Sequence, residues 1–202
     1  NVTVSAGRDG ALVVNTGAAA MADKALAAID ELQAQVAAAA RPNDCVGANC
    51  ARVPYGWASP FTNEIIASPA PARPIRYVLN TSAAPEHTGG NALLSKAGFF
   101  ARRGGTNVTG AAATASVIAH ENVLNAMNAR ADAGSLPLEA FPTDTYFHAF
   151  QKLSEYFNGE AVVVYHEPAA NTDGDSIVFF RHSEVISAGK LAASRAPTRK
   201  NL

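Results

Sequence analysis

Residues 77–91, YVLNTSAAPEHTGGN, contain the turn that decides the fold of this 202-residue chain. The apolar run at the start of the stretch predicts a β-strand, and the Gly-Gly-Asn at its end predicts the beginning of a helix. Between them lies a turn of small residues with one carboxylate and one imidazole, Glu86 and His87. A polar turn at the carboxyl end of a strand is a frequent place for a site in α/β proteins. This turn is therefore the first candidate site.

Helix and strand patterns alternate on both sides of this turn. Their apolar spacing predicts a hairpin at 2–17, helices at 21–40, 89–98 and 121–130, and strands at 75–80, 115–120, 161–167, 175–181 and 183–190. Residues 132–147 contain two prolines, Pro137 and Pro142, and are predicted to be a long connection. Strands separated by helices, followed by a run of strands, predict one α/β domain over residues 1–202 with mixed sheets.

The composition excludes several functional classes. Hydrophobic residues make up 48% of the chain and charged residues 16%, with a formal net charge of -1. This balance gives no basic surface for nucleic acid. The sequence has no apolar run of the roughly 20 residues that a membrane span needs. We expect a globular protein with a weakly charged surface, no nucleic-acid partner and no membrane span.

A Pro-, Gly- and Ala-rich stretch at about 42–74 is predicted to be a loop insertion. It contains both cysteines of the chain, Cys45 and Cys50, with four residues between them. Such a pair favours a small loop disulfide and therefore an oxidising, periplasmic or secreted location. A half zinc site and two free thiols are the alternatives.

Five separated segments occur in an order that resembles the metallo-β-lactamase-fold hydrolases, closest to their secreted bacterial branch. They are GALVVNTG, IRYVLNTSAAPEHTGGN, VIAHENVL, NGEAVVVYHEPAANTDGDSIVFF and VISAGK. The likeness covers nearly the whole chain except the 42–74 insertion. It implies an αββα sandwich, and it implies that family members extend beyond both ends of this sequence.

The metal motif of that family, T-H-x-H-x-D-H-T-G-G-N, resembles residues 81–91, which read T-S-A-A-P-E-H-T-G-G-N. Ser82 and Ala84 stand at the first two histidine positions. Glu86 stands at the aspartate position, and His87 is unchanged. The resemblance therefore implies a metal site of which one histidine and one carboxylate remain in this motif.

Two further ligand positions are changed. The H-T-D-G-D motif of the family begins here with Asn171, and its A-G-D motif ends here with Lys190. Hydroxyl, methyl and amide groups are poor zinc ligands, and an ammonium group beside a zinc position is strongly repelled. We expect no metal, no other cofactor and no metal-dependent hydrolysis. Lys190 is instead expected to neutralise Glu86 in a half-buried cleft, the alternative being that it points to solvent.

The remaining polar candidates favour structural roles. His120 is predicted to cap or pack at the junction of a strand and a helix, while His148, His166 and His182 are dispersed along the sequence. Asp173 and Asp175 flank a glycine in a predicted turn, which explains them more simply than a cation site does. Ser82 as a nucleophile with His87 as its base is disfavoured, because the sequence shows no group to orient the base and no oxyanion hole.

Two functions remain open at this point. The first is a non-catalytic protein that acts as a structural or binding subunit of an extracytoplasmic assembly with other protein subunits. The second is a hydrolase of altered chemistry that uses the remaining cleft with one metal or none. Stoichiometric metal in the native protein would favour the second.

Overall fold

The computed structural model describes residues 2–7, 9–39, 75–98, 114–131, 136–154, 156–168 and 170–191. The whole of the predicted 42–74 insertion, with Cys45 and Cys50, lies outside these ranges. The predicted insertion and the predicted disulfide therefore stay predictions. Within the described ranges, the chain forms two sheets that pack face to face.

The first sheet has five strands in the order of the sequence: β1 (Thr3–Gly7), β2 (Gly10–Val14), β3 (Ile75–Asn80), β4 (Ser116–His120) and β5 (Asp144–Tyr146). β1 and β2 form the predicted antiparallel hairpin, and β2 to β5 are parallel. Every residue of β2 is buried, as the apolar run at 11–14 predicts. The parallel strands therefore end at one edge of the sheet, where the residue 77–91 turn begins.

The second sheet is antiparallel throughout. It contains β6 (Phe150–Lys152), β7 (Val162–His166), β8 (Ser176–Phe180) and β9 (Val185–Ser187) in that order. Alternate residues of β7 and β8, such as Val164 and Val178, enter the layer between the sheets. This period of two is the pattern that a sheet with one face on the core requires.

The described helices pack mainly on the outer face of the first sheet. They are α1 (Ala22–Ala39), α2 (Pro85–Thr88), α3 (Asn91–Ala97) and α4 (Glu121–Ala131). α1 contacts the sheet through Ala22, Leu26 and Ile29, whereas Met21 and Leu32 of the predicted apolar face are exposed. No helix among the described residues is long and apolar enough to cross a bilayer.

Two apolar layers hold the sandwich together. Leu12, Leu79 and Phe157 belong to the layer between the sheets, where the Tyr77 and Phe157 rings meet edge to face with centroids 5.4 Å apart. A second layer lies between the first sheet and helices α1 and α3, around Val13 and Leu94. Both layers lie below the carboxyl ends of the strands and support the turns there.

The fold prediction is confirmed as an α/β sandwich of two sheets with helices. The prediction missed β5, β6 and α2, which have three, three and four residues. Elements this short show too few residues for a period to appear. β5 lies at the end of the stretch 132–147, which was predicted to be a connection without strands.

Candidate functional site

The candidate site lies where β2 and β3 end and where the start of β8 and the chain after β9 approach them. The polar side chains at this edge are buried: Asn15, Thr16, Asn80, Thr81, Ser82, His87 and Asn91 are all 3% exposed or less. The backbone amide of Ser176 donates to the Thr81 carbonyl at 2.9 Å and so joins β8 to the turn after β3. Both sheets therefore contribute to the same edge.

Asn15 fastens the end of β2 to the start of the turn. It has a φ of 60°, a left-handed conformation that asparagine adopts more readily than most residues. The amide of Thr81 donates to Asn15 Oδ1 at 2.9 Å, and Asn15 Nδ2 donates to the Thr81 hydroxyl at 2.9 Å. The asparagine amide thus supplies both a donor and an acceptor to Thr81.

Asn91 is the centre of a second set of buried hydrogen bonds. Its Nδ2 donates to Asn80 Oδ1 and to the Ala140 carbonyl, both at 2.8 Å. Its Oδ1 accepts from the Thr16 hydroxyl at 3.0 Å and from Asn80 Nδ2 at 3.1 Å. All four bonding positions of this amide are used inside the protein, so Asn91 acts as a structural connector.

His87 is held in the interior below the turn. It is 3% exposed, and its Nδ1 lies 3.2 Å from the Thr81 hydroxyl. Gly189 packs against the same two side chains with a φ of +55°. Burial lowers the pKa of the His87 imidazole, and the Lys190 ammonium lowers that pKa further. His87 is therefore held neutral near pH 7.

Glu86 and Lys190 form the ion pair that the sequence predicts. The two side chains are 53% and 39% exposed, so the pair lies at the surface and not in the half-buried cleft that was expected. The hydrogen bond from Lys190 holds the pKa of the Glu86 carboxyl below its usual value. The Lys190 ammonium is thus paired with the carboxylate that the resemblance assigns to a metal ligand.

The other ligand-equivalent positions are engaged in turns. The Ser82 hydroxyl is buried and accepts from the Ala84 amide at 3.2 Å. Ala84 precedes α2, and its carbonyl accepts from the His87 and Thr88 amides. Asn171 is exposed, and its amide donates to Asp175 Oδ2 at 2.8 Å. Of the six positions, Glu86, His87 and Lys190 interact with one another at this edge. The bonds of Ser82 and of the Asn171 amide are those of local turns.

Asp175 anchors the turn that carries Asn171. It is 2% exposed and accepts from the amides of Asn171 and Thr172 and from the Thr172 hydroxyl, at 2.8 to 2.9 Å. Burial by itself would raise the pKa of this carboxyl, but the hydrogen bonds from Thr172 and Asn171 outweigh burial and lower it. The turn chemistry predicted for Asp175 is what the structure shows.

A metal ion does not fit this set of donors. A hydrolytic zinc site needs three good ligands and one open position. Here Ser82, Ala84 and Asn171 offer a hydroxyl, a methyl and an amide, and the Lys190 ammonium contacts the single carboxylate. Within the described part of the chain, no group of three His, Cys, Asp or Glu is arranged to hold a metal ion.

A pair of histidines beside this edge was not predicted. His120 and His166 stack with ring centroids 3.6 Å apart and an angle of 13° between the planes. No local pattern predicts this contact, because the two histidines are far apart in the sequence and the ends of strands from the two sheets bring them together. The capping role of His120 is confirmed, since its Nδ1 accepts from the Asn122 amide at 3.2 Å in the first turn of α4.

Comparisons with known proteins support the fold alone. No protein-family model and no curated protein sequence matches the chain. A metallo-β-lactamase of Cronobacter sakazakii with a HARLDQ motif aligns over 97% of this chain and 58% of its own, with 18% identity and a TM-score of 0.51. The FEZ-1 metallo-β-lactamase of Legionella gormanii aligns over 88% of this chain and 50% of its own, with 10% identity and a TM-score of 0.50. The chain has the metallo-β-lactamase fold and spans about half the length of these structures.

Proposed function

We propose that this chain is a non-catalytic protein of the metallo-β-lactamase fold and serves as a structural or binding subunit of an extracytoplasmic assembly. The observation that carries the proposal is the ion pair between Glu86 and Lys190. A zinc ion that used the Glu86 carboxylate would have to displace an ammonium group and then lie beside it. The remaining histidine, His87, is hydrogen-bonded inside the fold.

The hydrogen-bond network at this edge also supports a structural role. No buried side-chain nitrogen or oxygen atom of the described polar residues of this edge (Asn15, Thr16, Asn80, Thr81, Ser82, His87 and Asn91) is left without a hydrogen-bond partner. Beside them, the buried Nε of Arg130 has no partner, although Nη2 of the same side chain donates to the Ala83 carbonyl. A site that is shaped for a ligand usually leaves some polar groups free to bind it. Here the polar groups of the turn bind one another, so the scaffold is stable without a ligand.

The outer face of the second sheet supports a protein partner. Phe150 pairs with Tyr165 across β6 and β7, and the two side chains are 52% and 41% exposed. Ile186 on β9 is 62% exposed and lies opposite Phe179 of β8. Exposed apolar side chains grouped on one sheet face are typical of a protein contact. The extracytoplasmic location rests on the spacing of Cys45 and Cys50.

Metal analysis of the natively produced protein tests the proposal. We expect well below one zinc, iron or manganese ion per chain, because the donor set is incomplete. Lys190→Asp should bind at most one zinc, since it restores one anion only. The variant with Ser82→His, Ala84→His, Glu86→Asp, Asn171→His and Lys190→Asp should bind two zinc ions in calorimetric titration.

Stoichiometric metal in the unmodified protein would contradict the proposal and favour the hydrolase of altered chemistry. Lys96→Asp serves as the matched control for Lys190→Asp, because Lys96 is also an exposed lysine in a carboxylate pair, with Glu139 at 3.1 Å. This control should bind no zinc.

A further inference from the structure

β6 is an edge strand whose outer side is open. Within the described part of the chain, it is the first strand of the second sheet and pairs with β7 alone. All of its residues are exposed, and Phe150 is 52% exposed. A groove of about 630 Å³ runs along residues 148–152 beside it. The strand is therefore accessible to a further strand.

The opposite edge of the same sheet is more closed. β9 lies at that edge, and its Ser187 hydroxyl is 3.0 Å from the Thr3 hydroxyl of β1 in the first sheet. This contact joins the two sheets on the β9 side, and Ser187 is buried. On the other side of the sandwich, a cavity of about 200 Å³ lies between β5 and β6. β6 is thus the more accessible edge of the second sheet.

The backbone groups of β6 point alternately towards β7 and towards the open edge. The Leu153 amide, just after the strand, donates to the Val162 carbonyl at 3.0 Å. Because bonded positions alternate along an antiparallel strand, the backbone of Gln151 also faces β7. The amides and carbonyls of Phe150 and Lys152 therefore face outward.

These outward groups are available for pairing. Among the described residues, the Lys152 carbonyl accepts from the exposed Gln151 Nε2 at 3.1 Å, and the other three groups form no hydrogen bond. A row of free backbone donors and acceptors on an edge strand is a template for another strand.

We propose that β6 pairs in antiparallel orientation with β6 of a second copy of this chain, about a two-fold axis at Gln151. The Phe150 amide then donates to the Lys152 carbonyl of the second copy, and the Lys152 amide of that copy donates to the Phe150 carbonyl. The two-fold axis repeats both bonds, so all the outward groups are paired and Gln151 Nε2 returns to water. The contact uses the edge of the sheet and not its outer face, so it goes beyond the proposed function and does not depend on it.

Side-chain chemistry selects this register. Phe150 lies opposite the exposed Tyr165, so Phe150 and Lys152 both lie on the outer face of the sheet. A lysine on an edge strand usually opposes pairing. In this register, however, each lysine lies opposite a phenylalanine ring, which attracts the ammonium group.

The neighbouring registers are less favourable. An axis at Lys152 would place two lysines opposite each other, and like charges at opposite positions are destabilising. An axis at Phe150 would pair Lys152 with residue 148, which precedes the strand. The axis at Gln151 is therefore the one that pairs every outward group of β6 and separates the lysines.

The molar mass and the amide exchange of the full chain, purified alone, test this contact. Light scattering should show a change from monomer to dimer between about 1 μM and about 1 mM, because so short an interface binds weakly. The Phe150 and Lys152 amides should exchange at least about tenfold more slowly in the dimer than in the monomer. The Gln151 amide, which faces β7, should be protected in both states.

Variants at positions 150 and 152 test the register. Phe150→Lys places lysines opposite each other on both sides of the axis and should weaken dimer formation at least about tenfold. Adding Lys152→Glu to this variant returns opposite charges to facing positions and should restore the dimer. Ile186→Lys is the matched control on the outer face of β9 and should dimerise like the unmodified protein. Phe150 and Ile186 are 52% and 62% exposed, so the folded domain should tolerate both changes.

Three results would overturn the contact. They are a monomer at about 1 mM, Lys152 amide exchange that does not depend on concentration, and a double variant that associates no better than Phe150→Lys. If Phe150→Lys does not fold, the exchange of the Phe150 and Lys152 amides in the unmodified protein decides instead. A monomer without bound metal would overturn this contact alone, whereas stoichiometric metal in a dimer would overturn the proposed function alone.

Discussion

Glu86 and Lys190 come from different sheets and meet across the edge of the sandwich. Glu86 lies in α2 after the first sheet, and Lys190 follows β9 of the second sheet. Both side chains are exposed in part, so water screens their attraction and the pair adds little to stability. The main consequence of the pair is chemical. Glu86 is the one carboxylate among the positions that correspond to metal ligands in the resembled family, and the Lys190 ammonium stays bound to it.

The loss of stability caused by Lys190→Met should therefore be small, and it should change with pH only in the acid range, where Glu86 takes up a proton. The folded-state pKa of Glu86 lies below its usual value of 4.5, so the pair contributes above that value and its contribution is lost as the pH falls below it. We expect the Tm to fall by no more than about 2 °C at about pH 7. At about pH 3, thermal melting should show a smaller difference from the unmodified protein than at about pH 7.

Glu86→Gln should reproduce the effect of Lys190→Met, and the double variant should lose no more than either single one. Lys96→Met removes the lysine of a comparable surface pair and shows the ordinary cost of such a change. A loss that is equal at both pH values would mean that Lys190 acts through packing and not through its charge.

At the scale of elements, the end of β9 is fitted closely to the turn after β3. Gly189 approaches the Thr81 hydroxyl and the His87 ring so closely that a Cβ atom there would collide with the hydroxyl. The Thr81 hydroxyl is hydrogen-bonded to Asn15 Nδ2 and to the His87 ring, so neither side chain can move without breaking a bond. The close approach of the two turns therefore depends on a glycine.

Gly189→Ala should destabilise the domain by about 2–4 kcal/mol, because a left-handed residue gains a Cβ atom and a steric clash at once. Gly159→Ala is the matched control. Gly159 also has a positive φ, +80°, but a Cβ atom there would meet nothing within 4 Å. Urea unfolding should show a loss of only about 1 kcal/mol for this control. Equal losses in the two variants would contradict the close contact with Thr81.

At the scale of the whole molecule, the two outer faces of the sandwich differ. Helices α1 and α3 cover the first sheet and bury Val13, Val78 and Val117 beneath them. On the outer face of the second sheet, Phe150, Tyr165 and Ile186 remain exposed. This asymmetry is the reason for placing the proposed protein contact on the second sheet.

Ile186→Lys should abolish association with the proposed partner, since a lysine buried at an apolar contact has no counter-charge. The measurement is the molar mass, by light scattering, of the protein purified from its native source. Leu138→Lys is the control, because Leu138 is 84% exposed but follows α4 on the side of the first sheet. Both variants should melt within about 1 °C of the unmodified protein. An unchanged mass for Ile186→Lys would exclude this face.

Most of the elements and the changed ligand set can be predicted from the amino-acid sequence. Apolar periodicity is local information, so the hairpin, helices α1, α3 and α4, and strands β3, β4, β7, β8 and β9 could be predicted from it. The identities at positions 82, 84, 171 and 190 also needed no structure, because poor zinc ligands remain poor in any geometry. The pairing of Glu86 with Lys190 followed from charge balance once the resemblance aligned them.

The contacts that the residues of the candidate site make follow only from the tertiary structure. Three contacts join residues from separate elements: the exposed pair of Glu86 and Lys190, the stacking of His120 on His166, and the network around Asn91. β5 and β6 have three residues each and exist because β4 and β7 offer them hydrogen-bond partners. Contacts of this kind depend on which strand ends the fold places side by side. A local sequence pattern does not show which residues far apart in the chain will meet.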